Sequence, residues 1–96
     1  MTMTKREVRR STQFRKDLRR ADRQGRDICF LNEIVSKLAN DIPLPEKYRD
    51  HALTGDWKGH RECHVSPDWL LVYRKTDHGE LILLLARIAS HSELGF

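Results

Sequence analysis

The sequence predicts an α+β domain in which two N-terminal helices pack on a four- to five-stranded antiparallel sheet. Three observations carry that expectation. Apolar residues recur at helical spacing in two successive segments between positions 12 and 40, the pattern changes to period two from Ala52 onward, and the breaks fall at Gly, Pro and Asp turns. The order reads β-α-α-β-β-β-β with a short C-terminal turn, and 96 residues fit one domain, residues 1–96, with no linker.

Arg6 to Ser11 is a short extended segment centred on Val8, and Ser11-Thr12 is suited to capping the helix that follows. In that helix Phe14, Leu18 and Ala21 form one apolar stripe at i, i+4 and i+7, while Arg15, Lys16, Arg19, Arg20 and Arg23 take the flanks. Gly25 is the natural stop. A second helix opens near Asp27 and carries Ile28, Leu31, Ile34, Val35 and Leu38 until Asn40-Asp41 and Pro43 end it. Pro43 and Pro45 keep the next stretch extended or turning, which delivers His51 to the sheet. Leu53 to Lys58, His60 to Val65 and Trp69 to Lys75 read as strands, broken at Gly59 and at Ser66-Pro67-Asp68. Asp77-His78-Gly79 is a hairpin turn before Glu80 to Ile88, whose run L-I-L-L-L-A suits a central strand covered on both faces.

Composition narrows the function classes. A hydrophobic share of 39% with 33% charged residues describes a globular chain. The longest apolar run is far too short to span a bilayer, and the start M-T-M-T-K-R lacks a signal-peptide core, so a cytoplasmic protein with no membrane partner is expected. Cys29 and Cys63 form no C-x-x-C pair and are expected to be reduced and buried. Between Lys5 and Arg26 ten Lys or Arg residues stand against Glu7, Asp17 and Asp22, a local net of +7; since the whole chain carries +4, the remainder carries −3. That asymmetry points to a polyanion or an acidic protein partner.

The chemistry concentrates between Asp50 and Trp69, which holds three of the five histidines and both tryptophans. On a strand, Cys63 and Val65 face the helices, so His60, Glu62 and His64 face the other way. His60 and His64 stand about 13 Å apart at ~3.3 Å per residue, too far to share one metal ion, so no metal is expected. Cys63, facing inward, forms no dyad with its neighbour His64, and no Gly-rich phosphate loop is present. What survives is acid-base cleavage of RNA, in which a ribose 2′-OH attacks the adjacent phosphorus. It needs a base, an acid and a cation at the phosphorane. Histidine suits either proton role, Asp68 suits the base only with a raised pKa, Arg87 suits the phosphate, and Trp69 and Phe96 suit stacking on bases. Arg87 and His91 are expected to complete the site opened by His64 and Asp68.

The segment P-L-P-E-K-Y-R-D-H-A-L-T-G-D-W-K-G-H-R-E-C-H-V-S-P-D-W-L-L-V-Y-R, together with R-I-A-S-H-S-E-L near the end, closely resembles the YafQ branch of the RelE-type toxins of bacterial toxin-antitoxin systems. The resemblance runs from Arg6 to Phe96. It implies a metal-independent messenger-RNA interferase acting on the translating ribosome, with His51, His64, Asp68 and His91 as the catalytic set and Arg87 and Phe96 lining the same site. It further implies His91 as acid and Asp68 or His64 as base. The family end A-L-F-G is here E-L-G-F, so the terminal aromatic is displaced by one residue. The implied partners are an acidic antitoxin, ribosomal RNA, mRNA, and operator DNA through the antitoxin complex. The basic Arg15, Lys16, Arg19, Arg20 and Arg23 would bind RNA phosphate. Two other readings keep the fold: a non-nuclease toxin that binds DNA gyrase, and a catalytically inactive RNA-binding homologue.

Overall fold

A computed structural model of the chain describes residues 5–95. Strand β1 (Glu7–Arg10) leads into helix α1 (Thr12–Arg23), where the Ser11 side chain accepts the amide of Phe14 at 2.9 Å as the N-cap. Phe14, Asp17 and Ala21 are buried along one stripe, and Arg15, Lys16, Arg19 and Arg23 stay exposed. Gly25, at φ 75°, turns the chain out of α1 in a conformation that costs glycine nothing. Helix α2 (Ile28–Ala39) is capped by Asp27 and buries Leu31, Ile34, Leu38 and Ala39. Cys29 falls on its outer side and is exposed, contrary to the expectation of burial, because the position lies off the apolar stripe.

The sheet contains β1, β2 (His51–Ala52), β3 (Arg61–Ser66), β4 (Trp69–Thr76) and β5 (Ile82–Ala89) in the order β1-β5-β4-β3-β2. Three of its four pairings are antiparallel, whereas β1 runs parallel to β5, so the sheet is mixed. The physical reason is chain path: β2 to β5 follow one another through short turns, while β1 arrives from the other end of the sequence. Cys63, Val65, Trp69, Leu71, Tyr73, Leu83, Leu85 and Ile88 form the core with Phe14, Leu31 and Ile34. Burial of the Cys63 thiol pushes its pKa up to about 12, which keeps it an inert apolar filler.

The expected strand from Leu53 to Lys58 does not form. Gly55, at φ 64°, starts a three-ten turn through Trp57, and only His51 and Ala52 pair with β3. Beyond Leu85, β1 no longer pairs with β5, and α1 covers the freed edge. There the Asp17 carboxylate, fully buried, accepts the Ile88 amide at 3.2 Å and the Arg87 Nε at 2.8 Å. Burial alone would raise the Asp17 pKa; the bonds from Arg87, Gln13 and Ile88 outweigh it and hold the carboxyl below its ordinary value. The chain ends in α3 (His91–Leu94), set by a capping box between Ser90 and Glu93.

Candidate active site

The open face of β3 presents Glu62 and His64, and β2 places His51 directly opposite Glu62. Glu62 is 4% exposed. Its Oε1 stands 3.6 Å from His64 Nε2 and 3.9 Å from His51 Nε2. These distances exceed hydrogen-bond length but leave the carboxylate beside both rings. The Arg49 carbonyl, which can only accept, lies 2.6 Å from His51 Nδ1, so that nitrogen carries the hydrogen and Nε2 is left toward Glu62. Asp50, the residue between them, is tied down by the Tyr73 hydroxyl at 2.6 Å and by Arg61, which sets the approach of the segment to β2.

The second half of the site comes from the two turns at that end of the sheet. Asp68 Oδ1 accepts both the backbone amide of His91 at 3.0 Å and its ring Nδ1 at 2.8 Å. Those two bonds hold the Asp68 carboxyl below its ordinary value, so it is ionised and Nδ1 is the donor. His91 Nε2 is therefore the nitrogen left for chemistry. The His91 and His64 rings lie 5.5 Å apart between centroids. Glu93 of the same turn is gripped by Arg20 at 3.0 Å, which fastens α3 to α1.

The sequence-expected residues divide. His51, His64, Asp68 and His91 converge. Asp68 is placed to orient His91 rather than to take a proton, because its lowered pKa is the opposite of what a base needs. Arg87 belongs to the cross-strand row of Glu62 and Val72, with Nε and Nη2 bound to Asp17 and Nη1 left over. Trp69 is not available to stack on a base: strand alternation sends it with Leu71 and Tyr73 into the core, where it is 3% exposed beneath Arg26. Arg20 is likewise engaged, with Asp17 and Glu93. Phe96 lies outside the described residues. His60 meets Trp57 edge-on and takes no part. The residue that sequence reasoning left out of the site is Glu62, although its shared strand face with His64 was the available signal. Glu62, His64 and His91 each offer one ligand atom, all within 4.8 Å of one another, a trio that fits a single transition-metal ion.

Fold and site together define a small α+β domain with a histidine-carboxylate cluster at one end of its sheet. The family model for the bacterial toxin of type II toxin-antitoxin systems, YafQ, matches residues 6–95. The chain belongs to that family. The mRNA interferase toxin YafQ of Escherichia coli K12 is 39% identical over 93 residues, 96% of this chain and 98% of that protein. In the E. coli DinJ-YafQ toxin-antitoxin complex, a chain 38% identical superposes with a TM-score of 0.83 over 94% of this chain and 97% of its own length. A metal-bound toxin from Helicobacter pylori is 43% identical with a TM-score of 0.85, over 96% and 99% of the two chains.

Proposed function

We propose that this chain is a ribosome-dependent endoribonuclease that cleaves messenger RNA and is neutralised by a cognate antitoxin. The observation that carries the reading is the Asp68–His91 pair, which commits Nδ1 to the carboxylate and fixes the ring 5.5 Å from that of His64. In the reaction, the Glu62–His64 pair takes the proton from a ribose 2′-OH as its oxygen attacks phosphorus. His91 Nε2 gives a proton to the departing 5′-oxygen, leaving a 2′,3′-cyclic phosphate. Asp68 stabilises the protonated ring that precedes this transfer. Arg87, held by Asp17, offers Nη1 to the phosphorane charge. Each role is filled by a side chain. The exposed Arg15, Lys16, Arg19 and Arg23 on α1 add salt-dependent attraction to ribosomal RNA.

The likeness to a toxin solved with its antitoxin supports an antitoxin partner here. The likeness to a metal-bound toxin supports metal binding by this chain, and the Glu62–His64–His91 trio is the set of residues that would hold the ion. An ion held by Glu62, His64 and His91 would take the ring nitrogens that must accept and release protons, so it would inhibit cleavage. Brief induction of the toxin followed by mapping of 5′ ends on translated messages tests the reading. Cuts at discrete codons that vanish with His91→Ala are expected. Intact messages with persistent growth arrest would overturn it and favour a binding toxin such as a gyrase inhibitor.

A further inference from the structure

A cleft of about 600 Å³ is lined by His64 and His91 together with residues of α2, of the Glu46–Arg49 segment and of the Ser66-Pro67 turn, to which the proposed reaction gives no role. One wall is aromatic: Phe30 of α2 and Tyr48, at the end of the three-ten turn Glu46–Tyr48, stand 6.0 Å apart between ring centroids and are half-buried. The other wall is the turn at Ser66-Pro67. Lys47 Nζ lies 5.2 Å over the Tyr48 ring, and Arg49 lines the mouth. Both cations are exposed, and none of the residues lining the cleft is acidic. At the end away from the histidines an anion therefore meets two exposed cations and no acidic lining residue.

The backbone supplies a second observation. Arg49 adopts the left-handed conformation, φ 50° and ψ 42°, which is rare for a residue with a side chain. That conformation aims its carbonyl at His51 Nδ1, 2.6 Å away, while its side chain lines the cleft. One strained residue thus joins the cleft to a histidine of the reaction centre.

Resting on the nuclease reading, we propose that this cleft seats the nucleotide next to the scissile phosphate, its base against Tyr48 and Phe30 and its phosphate on Lys47 and Arg49. Aromatic faces accept any base, and two cations on a short turn match one backbone phosphate. The volume falls in the range of small-molecule sites, with polar groups converging on an apolar wall. Seating this neighbour would hold the reacting 2′-OH in line with His64 and His91, so the subsite acts by positioning.

The test uses a fluorescein-labelled RNA hexamer with 2′-O-methyl groups throughout, which binds but lacks the attacking hydroxyl. Its affinity for the purified toxin is measured from low to moderate salt. Tyr48→Leu is expected to weaken binding about tenfold with the salt slope unchanged, because a stacking face is lost. Lys47→Ala is expected to weaken binding and lower the salt slope by about one, the signature of one phosphate contact. Lys37→Ala, which removes the same charge from the far end of α2, serves as control and should stay within about twofold. The lysine variants alter only exposed side chains, so Lys47→Ala keeps the test meaningful if Tyr48→Leu misfolds. Unchanged affinity and slope in Lys47→Ala, or amide shifts confined to α1 when the hexamer is added, would overturn the subsite. So would protection of residues 47–49 by the antitoxin but not by the hexamer. Failure of the nuclease reading is seen separately, as intact messages in cells expressing a wild-type toxin that still binds the hexamer.

Discussion

At the Thr76 end of the sheet, Asp41 receives Lys5 at 3.1 Å, Arg6 at 2.7 Å and Lys75 at 2.8 Å. At the opposite end Glu62, more deeply buried, has two histidine rings at 3.6 and 3.9 Å and, among the described residues, no lysine or arginine. The first cluster is saturated with permanent cations. It joins the N-terminal strand, the end of α2 and the β4–β5 hairpin, since Arg6 also reaches the Thr76 carbonyl and Asp77. Its bonds hold the Asp41 carboxyl well below the usual carboxylate range, Arg6 first among the causes. Such a carboxylate is locked into one state and can only hold structure. A carboxylate whose neighbours are themselves proton carriers can exchange protons with them, which is what catalysis needs.

Conservative amide substitutions at the two ends should separate the two roles. Glu62→Gln keeps size and shape, and it is expected to reduce cleavage of translated messages by about 10²–10⁴-fold while the melting temperature stays near wild type. Asp41→Asn, which tolerates the positive φ of 55° found there, is expected to cost about 1–2 kcal/mol of stability and leave cleavage unchanged. Thermal unfolding and primer extension on the two proteins separate the outcomes. Equal loss of activity in both would mean that the ends are not functionally distinct.

Asp68→Asn sharpens the comparison within the active end. Asparagine can still accept the His91 amide, but it cannot stabilise a protonated ring. Loss of one charge-assisted bond predicts a decrease of about tenfold to a hundredfold in cleavage. Unchanged cleavage in Asp68→Asn would remove the Asp68–His91 contact from the site. Next in size is the metal effect. Zinc or copper at ten times its Kd should occupy the Glu62–His64–His91 trio in about nine molecules of ten and slow cleavage about tenfold. A chelator should restore the rate, and calorimetry should show the binding site lost in Glu62→Gln.

Much of this fold was legible because helices and hairpins write their periods locally. The Phe14–Leu18–Ala21 and Leu31–Ile34–Leu38 stripes, the cap at Ser11, the helix start near Asp27 and the turn at Gly79 all stand where the sequence placed them. Leu53 to Lys58 misleads because Leu53, Gly55 and Trp57 alternate like a strand, although Gly55 takes a conformation no strand accommodates. The parallel pairing of β1 with β5 has no local signal at all. Trp69 shows the converse: its strand parity with Leu71 and Tyr73 already assigned it to the core, and only its ring suggested stacking. Within the site, His64 and Glu62 share a readable face. The Asp68–His91 contact joins residues 23 apart, and it exists only because the β4–β5 hairpin and the Ser90 cap bring their turns together.

The smallest expected effect concerns acid, and it isolates the structural end. Asp41 and Asp17 both have folded-state pKa values below the ordinary 3.8. A depressed carboxylate contributes stability that is present above the unfolded value and is lost as pH falls through the folded one. Their contribution is therefore complete at neutral pH, begins to fade near the ordinary value and continues to fall in stronger acid. Circular dichroism melts should give a plateau above about pH 5 and a decline below it, each kcal/mol lost lowering the melting temperature by about 4–8 °C. The Asp41→Asn protein should start from a lower plateau and decline less steeply, because one of the groups that must protonate is gone. If Glu62→Gln flattened the decline as much as Asp41→Asn, the carboxylate at the active end would be carrying fold stability as well. The division of labour between the two ends would then fail.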